Sequence, residues 1–468
     1  MTLALRPYQS TMIDECRDLL RRHRSVMLQL PTGGGKTAMG AFMAGTAAGR
    51  GMRVWFCCHR DFLIAQTRSA FRDAGIRAGV IAAGHPISPF EPVHVCSIPT
   101  LTRRLAKLKP PDFMIVDEAH HSEAKTWKKI IAWFRDGGGS RMVGLSATPA
   151  RLDGRGLDDC YDAMVAGPSV SWLMEAGFLS RYRAYAPSTP DMQGVRTRAG
   201  DYARDETEAV MDRPSIVGDI VGHYKRLAPG KRAIYFAVSV RASEHLAAMF
   251  NSAGVAARHL DAGSSADERR GAANDLAEGR LAVLVNVDLF GEGYDLSQQA
   301  GREVPVEAVG LARPTQSLVL HLQQIGRSLR PKPEPAAILD HAGNLMRHGL
   351  PDDDRTWTLA GVEKAAKKGE QSAPVRQCPQ CYGVHRVAPA CVYCGFVYPV
   401  ASREVEHVEG DLEEIDREAL RRARKSEEWR CKTVDELSAL GQARGYRHAR
   451  QWAEHVMRAR ARKKEMVA

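Results

Sequence analysis

Short apolar runs punctuate the first 180 residues, each followed by a longer stretch of helical composition. Val26-Met27-Leu28-Gln29-Leu30, Val54-Trp55-Phe56-Cys57-Cys58, Val93-His94-Val95-Cys96 and Phe113-Met114-Ile115-Val116 each read as a buried strand, and Met142-Val143-Gly144-Leu145 extends the series. The Ala- and Met-rich segment from Thr37 to about Gly49 reads as a helix. Such alternation predicts a parallel sheet with helices on both faces and ligand loops at the carboxyl ends of the strands. The rhythm resumes at Lys231–Ala237, with helices over 240–252 and near 267–278, and strands at 258–260, within 304–311 and at 336–340. The fold class expected is α/β, with two tandem parallel-sheet lobes.

Two of the strand ends carry chemistry. After the first, Pro31-Thr32-Gly33-Gly34-Gly35-Lys36-Thr37 opens a helix. Gly33, Gly34 and Gly35 let the backbone turn its N–H groups toward phosphate oxygens. Lys36 offers a charge to the β and γ phosphates and the Thr37 hydroxyl a ligand to magnesium, so ATP and magnesium are the expected cofactors. The strict G-x-x-x-x-G-K-[ST] pattern lacks its first glycine, because position 30 is Leu and position 31 Pro. The bland alternative is an ordinary Gly-rich turn. Asp117-Glu118-Ala119-His120 follows the run ending at Val116. Asp117 there can hold magnesium, and Glu118 can orient and deprotonate a water. A solvated acidic loop, or zinc on His120 and His121, is the competing reading.

Taken with Ser146-Ala147-Thr148-Pro149 and Gln323-Gln324-Ile325-Gly326-Arg327-Ser328-Leu329-Arg330, these residues resemble the DEAH-type helicases and translocases of superfamily two, over about residues 3 to 345. The resemblance implies two RecA-like lobes that close on ATP. It makes Leu5-Arg6-Pro7-Tyr8-Gln9 an adenine-recognition element, with Gln9 the contact. It makes His59, Arg60 and Thr100 nucleic-acid contacts, although Pro99 stands where the family often has Gln. It gives Ser146 and Thr148, with His120, a role coupling hydrolysis to grip. Gly293 and Asp295 match a motif sensing ribose and backbone. Gln323, Arg327 and Arg330 match the last motif, in which an arginine from the facing lobe stabilises the charge on the transferring phosphoryl group; which arginine does so stays open. Gly144-Leu145-Ser146-Ala147-Thr148-Pro149-Ala150-Arg151-Leu152-Asp153-Gly154-Arg155-Gly156-Leu157, with four cysteines after the second lobe, resembles more closely the RadD-type bacterial and phage DNA repair helicases.

Charge and cysteine usage refine this picture. The chain of 468 residues has a net charge of +11, which suits a polyanionic partner. No run approaches the eighteen or so apolar residues of a membrane span, and no signal peptide is evident, so a cytoplasmic protein is expected. Cys378-x-x-Cys381 and Cys391-x-x-Cys394 stand nine residues apart. That spacing predicts a closed, structural zinc site of four thiolates. Tyr382, Arg386, Tyr393, Phe396 and Tyr398 are either a base-stacking surface or the module's small core.

The expected division is a first lobe over 1–185, a connector with an irregular loop over 186–213, a second lobe over 214–350, a linker over 351–373, a zinc module over 374–400 and a helical tail over 401–468. Residues 401–416 set Arg403 against seven carboxylates, whereas from Arg417 onward fifteen Lys or Arg face seven acids. The basic tail is either a nucleic-acid grip or an amphipathic helix packed on the body. The function expected is a nucleic-acid-dependent ATPase that moves on, unwinds or remodels DNA, in repair or recombination. RNA stays open. An ATP-gated clamp, or the motor subunit of a restriction or nuclease assembly, is the alternative.

Overall fold

The computed structural model describes residues 4–59, 62–88, 90–122, 124–151, 154–187, 190–198, 200–291, 294–361, 374–399 and 417–465. They fall into two compact units, Met1–Tyr398 and Pro399–Ala468.

The first sheet of the larger unit contains β1 (Ser25–Gln29), β2 (Val54–Cys58), β3 (Ala78–Ile81), β4 (Val93–Ser97), β5 (Phe113–Asp117), β6 (Arg141–Ser146) and β7 (Ala163–Ala166). Their order is β3-β4-β2-β5-β6-β1-β7, and every pairing is parallel. β1, β2 and β4 are buried along their whole length, as continuous apolar runs require. Val26, Leu28, Phe56, Val95 and Val143 pack to one face, and Met27, Trp55, Met114 and Met142 to the other.

The second sheet begins earlier in the chain than the sequence suggested. Tyr182–Tyr185, expected within the first lobe, is β8 and pairs in parallel with β15 (Ala336–Asp340) of the second sheet. The expected irregular connector holds a two-stranded hairpin, β9 (Thr197–Arg198) and β10 (Asp201–Tyr202), followed by the helix Arg204–Met211. β11 (Ala233–Phe236), β12 (Ala257–Leu260), β13 (Val283–Asn286), β14 (Ala308–Leu311) and β15 (Ala336–Asp340) complete the parallel part.

Nor is the cysteine module a separate appendix. Its strands β16 (Val375–Gln377) and β17 (Gly383–Arg386) extend this sheet, giving the order β12-β13-β11-β14-β15-β8-β17-β16. β17 runs antiparallel to β8 and β16 antiparallel to β17.

Between β15 and the module the chain crosses back to the first lobe. Leu359 O accepts from Leu157 N at 2.7 Å and from Asp158 N at 3.2 Å, and Gly361 bridges to Arg155. A Cβ on Gly156 would lie 2.2 Å from Leu359 O, so only glycine admits the strap there. Arg355 fastens its start through the carbonyls of His348 and Leu350 at 3.1 and 2.8 Å. Arg386 of the cysteine module reaches Asp352 and Asp353, each at 3.3 Å.

In the smaller unit the helices Val434–Ala443 and Ala449–Glu465 form a tight hairpin over Leu437 and Ala453. Gly441 lets them approach, since a Cβ there would meet Ala449 Cβ and the Trp452 ring at 3.0 Å. The helix Arg417–Arg430 precedes them.

Candidate active site

The phosphate loop hangs from the carboxyl end of β1. Leu30 N donates to Ser146 O at 2.9 Å, which joins the loop's base to the end of β6. Gly33 and Gly35 adopt φ of 87° and 92°, the left-handed region a side chain resists, and Gly35 starts the helix Lys36–Ala48. Lys36 Nζ rests on Leu30 O at 3.2 Å. Desolvation holds the Lys36 ammonium below its ordinary pKa, while Glu118 and Asp117 pull it back up. Thr37 is exposed in the helix's first turn.

Gln9, expected against adenine, braces this loop. Its Nε2 donates to Gly34 O at 2.8 Å and its Oε1 accepts from Arg6 N at 2.9 Å. Tyr8 OH donates to the same Gly34 oxygen at 2.7 Å. Beside it lies an aromatic group that sequence reasoning missed. The Tyr8 ring is 5.2 Å from Phe178 and 5.9 Å from Trp172, and Arg6 Cζ sits 4.8 Å over Phe178. Local sequence carries no signal that a helix 160 residues on returns to the chain's start.

Asp117 ends β5, and Glu118 turns the chain at φ 48°, ψ 54°, a left-handed conformation costly for any residue with a Cβ. Desolvation and the neighbouring Glu118 push the Asp117 carboxyl up to about 7, against Lys36. The Asp117 carboxylate and the Thr37 hydroxyl of the phosphate-loop helix are both hard oxygen donors, a chemistry that fits magnesium. Glu118 is buried, and its Oε2 lies 3.5 Å from His120 Nδ1.

His120 joins the lobes. Its Nδ1 lies 3.2 Å from Ser146 Oγ, and its Nε2 3.4 Å from Gln323 Nε2 in the helix Leu318–Gly326. Ser146 Oγ donates to Thr148 O at 2.7 Å, so it accepts from His120. The proton therefore sits on Nδ1, and Nε2 accepts from the Gln323 amide. Thr148 is buried beside this chain. At the end of the Gln323 helix, Gly326 faces Thr32; a Cβ there would lie 2.5 Å from Thr32 Cβ.

Arg327 and Arg330 are both held by their own lobe. Arg327 donates to Tyr294 O at 3.0 Å and Gly291 O at 2.9 Å, close enough to Lys36 to depress its pKa. Arg330 pairs with Asp295 at 2.9 Å. Burial raises the Asp295 pKa, but Arg330, the Ser297 N–H and Arg327 together outweigh it and hold the group below its ordinary value. Asp295 N also donates to Gln66 Oε1 at 3.0 Å, a cross-lobe contact that sequence reasoning did not single out.

The expected nucleic-acid contacts are less uniform. His59 lines an interlobe cavity of about 710 Å³ with His121, Asp288, Arg313 and the connector's Arg204. Thr100, in the first turn of the helix Ile98–Arg104, is only 7% exposed, so it presents almost nothing to a passing strand. Arg60 and Gly293 lie outside the described residues.

The sulfurs of Cys378, Cys381, Cys391 and Cys394 lie within 4.8 Å of one another. Cys378 and Cys394 are 3.6 Å apart, and Cys381 and Cys391 3.7 Å. A tetrahedron with metal–sulfur distances of about 2.3 Å has edges of about 3.8 Å, so the set fits zinc. Tyr398 is buried against Cys378 and Cys391, with Tyr393 and Phe396 beside it, so these three form the module's core, whereas Tyr382 packs against His223 and under Arg226 of the second lobe. His385 is not a ligand; its Nε2 bonds Tyr398 OH at 2.9 Å. No helix among the described residues is long and apolar enough to cross a membrane.

Two family models match this architecture, "Type III restriction enzyme, res subunit" over residues 2–151 and "Helicase conserved C-terminal domain" over residues 213–332. A "51.5 kDa protein" of a Lactococcus phage (isolate 7-9) is 33% identical over 399 residues, covering 84% of this chain and 83% of its own. The Saccharomyces cerevisiae protein named "Putative ATP-dependent helicase IRC3" is 27% identical over 352 residues, 70% of this chain and 49% of its own length. The solved structure "ATP-dependent Type ISP restriction-modification enzyme LlaBIII bound to DNA" shares the fold with a TM-score of 0.55 at 19% identity, over 72% of this chain and 27% of that one. With two parallel-sheet lobes meeting at a phosphate loop, and with these relatives, the chain belongs to the superfamily two helicases, enzymes that hydrolyse ATP.

Proposed function

We propose that this ATPase moves on DNA and opens or remodels it, using the cleft between its lobes as the engine. The carrying observation is the path from Glu118 through His120 to Gln323, which joins the carboxylate at the phosphate loop to the facing lobe. In this reading the N–H groups of Gly33, Gly34 and Gly35 cradle the phosphates and Lys36 neutralises them. Magnesium held by Thr37 and Asp117 would draw charge from the β and γ oxygens. Glu118 takes the proton of the attacking water. Arg327 and Arg330 exchange their present partners for the phosphoryl oxygens, and Gln323 sets the water or the γ-phosphate. Gln9 braces the loop that adenine approaches, and Gly293 and Asp295 meet the ribose side. His120, Ser146 and Thr148 pass the state of the cleft to the strand-gripping surface, to which the resemblance assigns His59 and Arg60, the buried Thr100 making no direct contact there. Zinc on the four cysteines fastens the module spanning residues 374–400.

DNA is favoured by the restriction-type family model and by the DNA-bound restriction enzyme of like fold. RadD-type kinship, and with it repair or recombination, is the finer form of the proposal. The restriction-type model also supports a second reading, in which the chain is the motor of a restriction assembly. The test is steady-state ATPase with single-stranded, duplex and forked DNA and with RNA, followed by strand displacement on a tailed duplex. DNA stimulation with displacement is the expected result. Stimulation without displacement favours the motor-subunit reading, and no stimulation by any nucleic acid overturns both.

A further inference from the structure

We propose that the helix Arg417–Arg430 presents a single-stranded nucleic-acid surface, with Trp429 stacking on a base and Arg422 and Lys425 meeting the flanking phosphates. The inference extends the proposed function to a part of the chain that reading does not use.

Among its described side chains the helix lacks the buried stripe that normally stabilises one. From Arg422 to Arg430 every side chain is exposed except the half-buried Glu428. A helix polar on all sides gains little from packing, and one of 14 residues is marginal by itself. Two arginines of the hairpin hold it instead. Arg444 pairs with Glu427 at 2.9 Å and Glu428 at 2.6 Å, and Arg460 donates to Cys431 O at 2.8 Å.

Those carboxylates define the inner side. Arg422, Lys425 and Trp429, at i, i+3 and i+7, share the side opposite Glu427, and Glu428 lies at its border. Trp429 is 65% exposed, an unusual position for the largest apolar side chain. Arg460 Cζ lies 5.5 Å from its ring, which orients the indole and leaves it largely open. Across its length the helix carries six Lys or Arg against three Glu. An exposed indole beside a row of cations has the chemistry that binds unpaired bases on a phosphate backbone: every base offers a face to stack on, and every linkage a charge. A duplex hides its base faces, so it suits this surface less well.

The experiment uses the full zinc-loaded chain. Fluorescence anisotropy of oligo-dT and oligo-rU is measured across a salt series, and ATPase is titrated with the same strands. Trp429→Ala should weaken binding about tenfold, within the range for loss of one stacked base. Trp429→Phe should restore most of it. Arg422→Glu with Lys425→Glu should reduce the slope of log K against log salt by about 1.4, the loss of two single-strand phosphate contacts. ATPase without nucleic acid should not change, and circular dichroism checks the fold. Equal loss on both strands is expected, since stacking does not read the sugar. Wild-type affinity and slope in the Trp429→Ala and charge-reversed variants would overturn the proposal while leaving the motor reading intact. A wild type that neither binds nor responds to either strand would remove both.

Discussion

Gly326→Ala adds one methyl group where the two lobes touch. The new Cβ would stand 2.5 Å from Thr32 Cβ and 2.8 Å from its Cγ2. Carbon atoms settle at about 3.5–4.0 Å, so one wall must retreat by about 1 Å. One wall is the phosphate loop, and the other is the end of the helix carrying Gln323, one residue before Arg327. A displacement of 1 Å at reacting groups costs on the order of a hundredfold in rate. Alanine also favours a helix over glycine by about 1 kcal/mol, so the variant should be no less stable when the cleft is open. The expected result is therefore a fall in kcat of tenfold to a hundredfold, unchanged thermal stability without nucleotide, and less stabilisation by ATP. Double substitution sharpens the test. Thr32→Ala keeps the offending Cβ and should not rescue, whereas Thr32→Gly removes it and should. Wild-type turnover in Gly326→Ala, or no difference between the two rescues, would refute the reasoning.

Glu118→Gln should lower kcat at least a hundredfold while ATP affinity stays within about threefold, as transient and equilibrium nucleotide binding would reveal; normal turnover would remove Glu118 as the base. Asp117 is raised to about 7, and it must lose its proton to hold magnesium. Apparent magnesium affinity should fall about tenfold per pH unit below 7 and level off above it, and a flat profile from pH 6 to 8 would contradict this. The same shift favours the metal-free fold at pH below the ordinary carboxylate value, and that gain is lost as pH rises through 7. Cys391→Ser should lose bound zinc, measured by elemental analysis, and lower the melting temperature of the larger unit, because β17 pairs with β8; full stability without zinc would argue against a structural site. Asp295→Asn should release Arg330, now 2.9 Å away, and change kcat more than KM for ATP; an effect on KM alone would place Asp295 outside that exchange.

Much of the molecule was legible because its signals are local. A fully apolar run such as Val54–Cys58 makes a central strand wherever it falls, and it is one. The glycines before Lys36 and the doubled Cys-x-x-Cys pairs likewise carry their geometry within a few residues, and the four sulfurs do converge. What sequence reading missed depends on distant pairing. Tyr182–Tyr185 has no pattern assigning it to one lobe; its place is set by β15, some 150 residues later. The helix Arg204–Met211 was hidden by charges that pair elsewhere, Arg204 with Asp288 and Glu208 with Arg241. The last motif points Arg327 and Arg330 at the phosphate, whereas in this state Gly291, Tyr294 and Asp295 hold them. Contact across a cleft leaves no periodic trace in either strand of sequence.

The strap from Leu350 to Gly361 bears on how this chain can be divided. A cut after the second lobe, at the position sequence reading put its end, would remove both the strap and the module. Leu157 N and Asp158 N would lose their acceptor, Leu359 O. β8 would become a naked edge, since β17 covers its far side. The ribosome meets the same constraint. The second sheet takes β8 from its beginning and β17 from its end, so its edge stays open to other strands until the cysteine module has emerged. Fragments ending near residue 350 should therefore be prone to aggregation, and the shortest well-behaved motor should run through Tyr398.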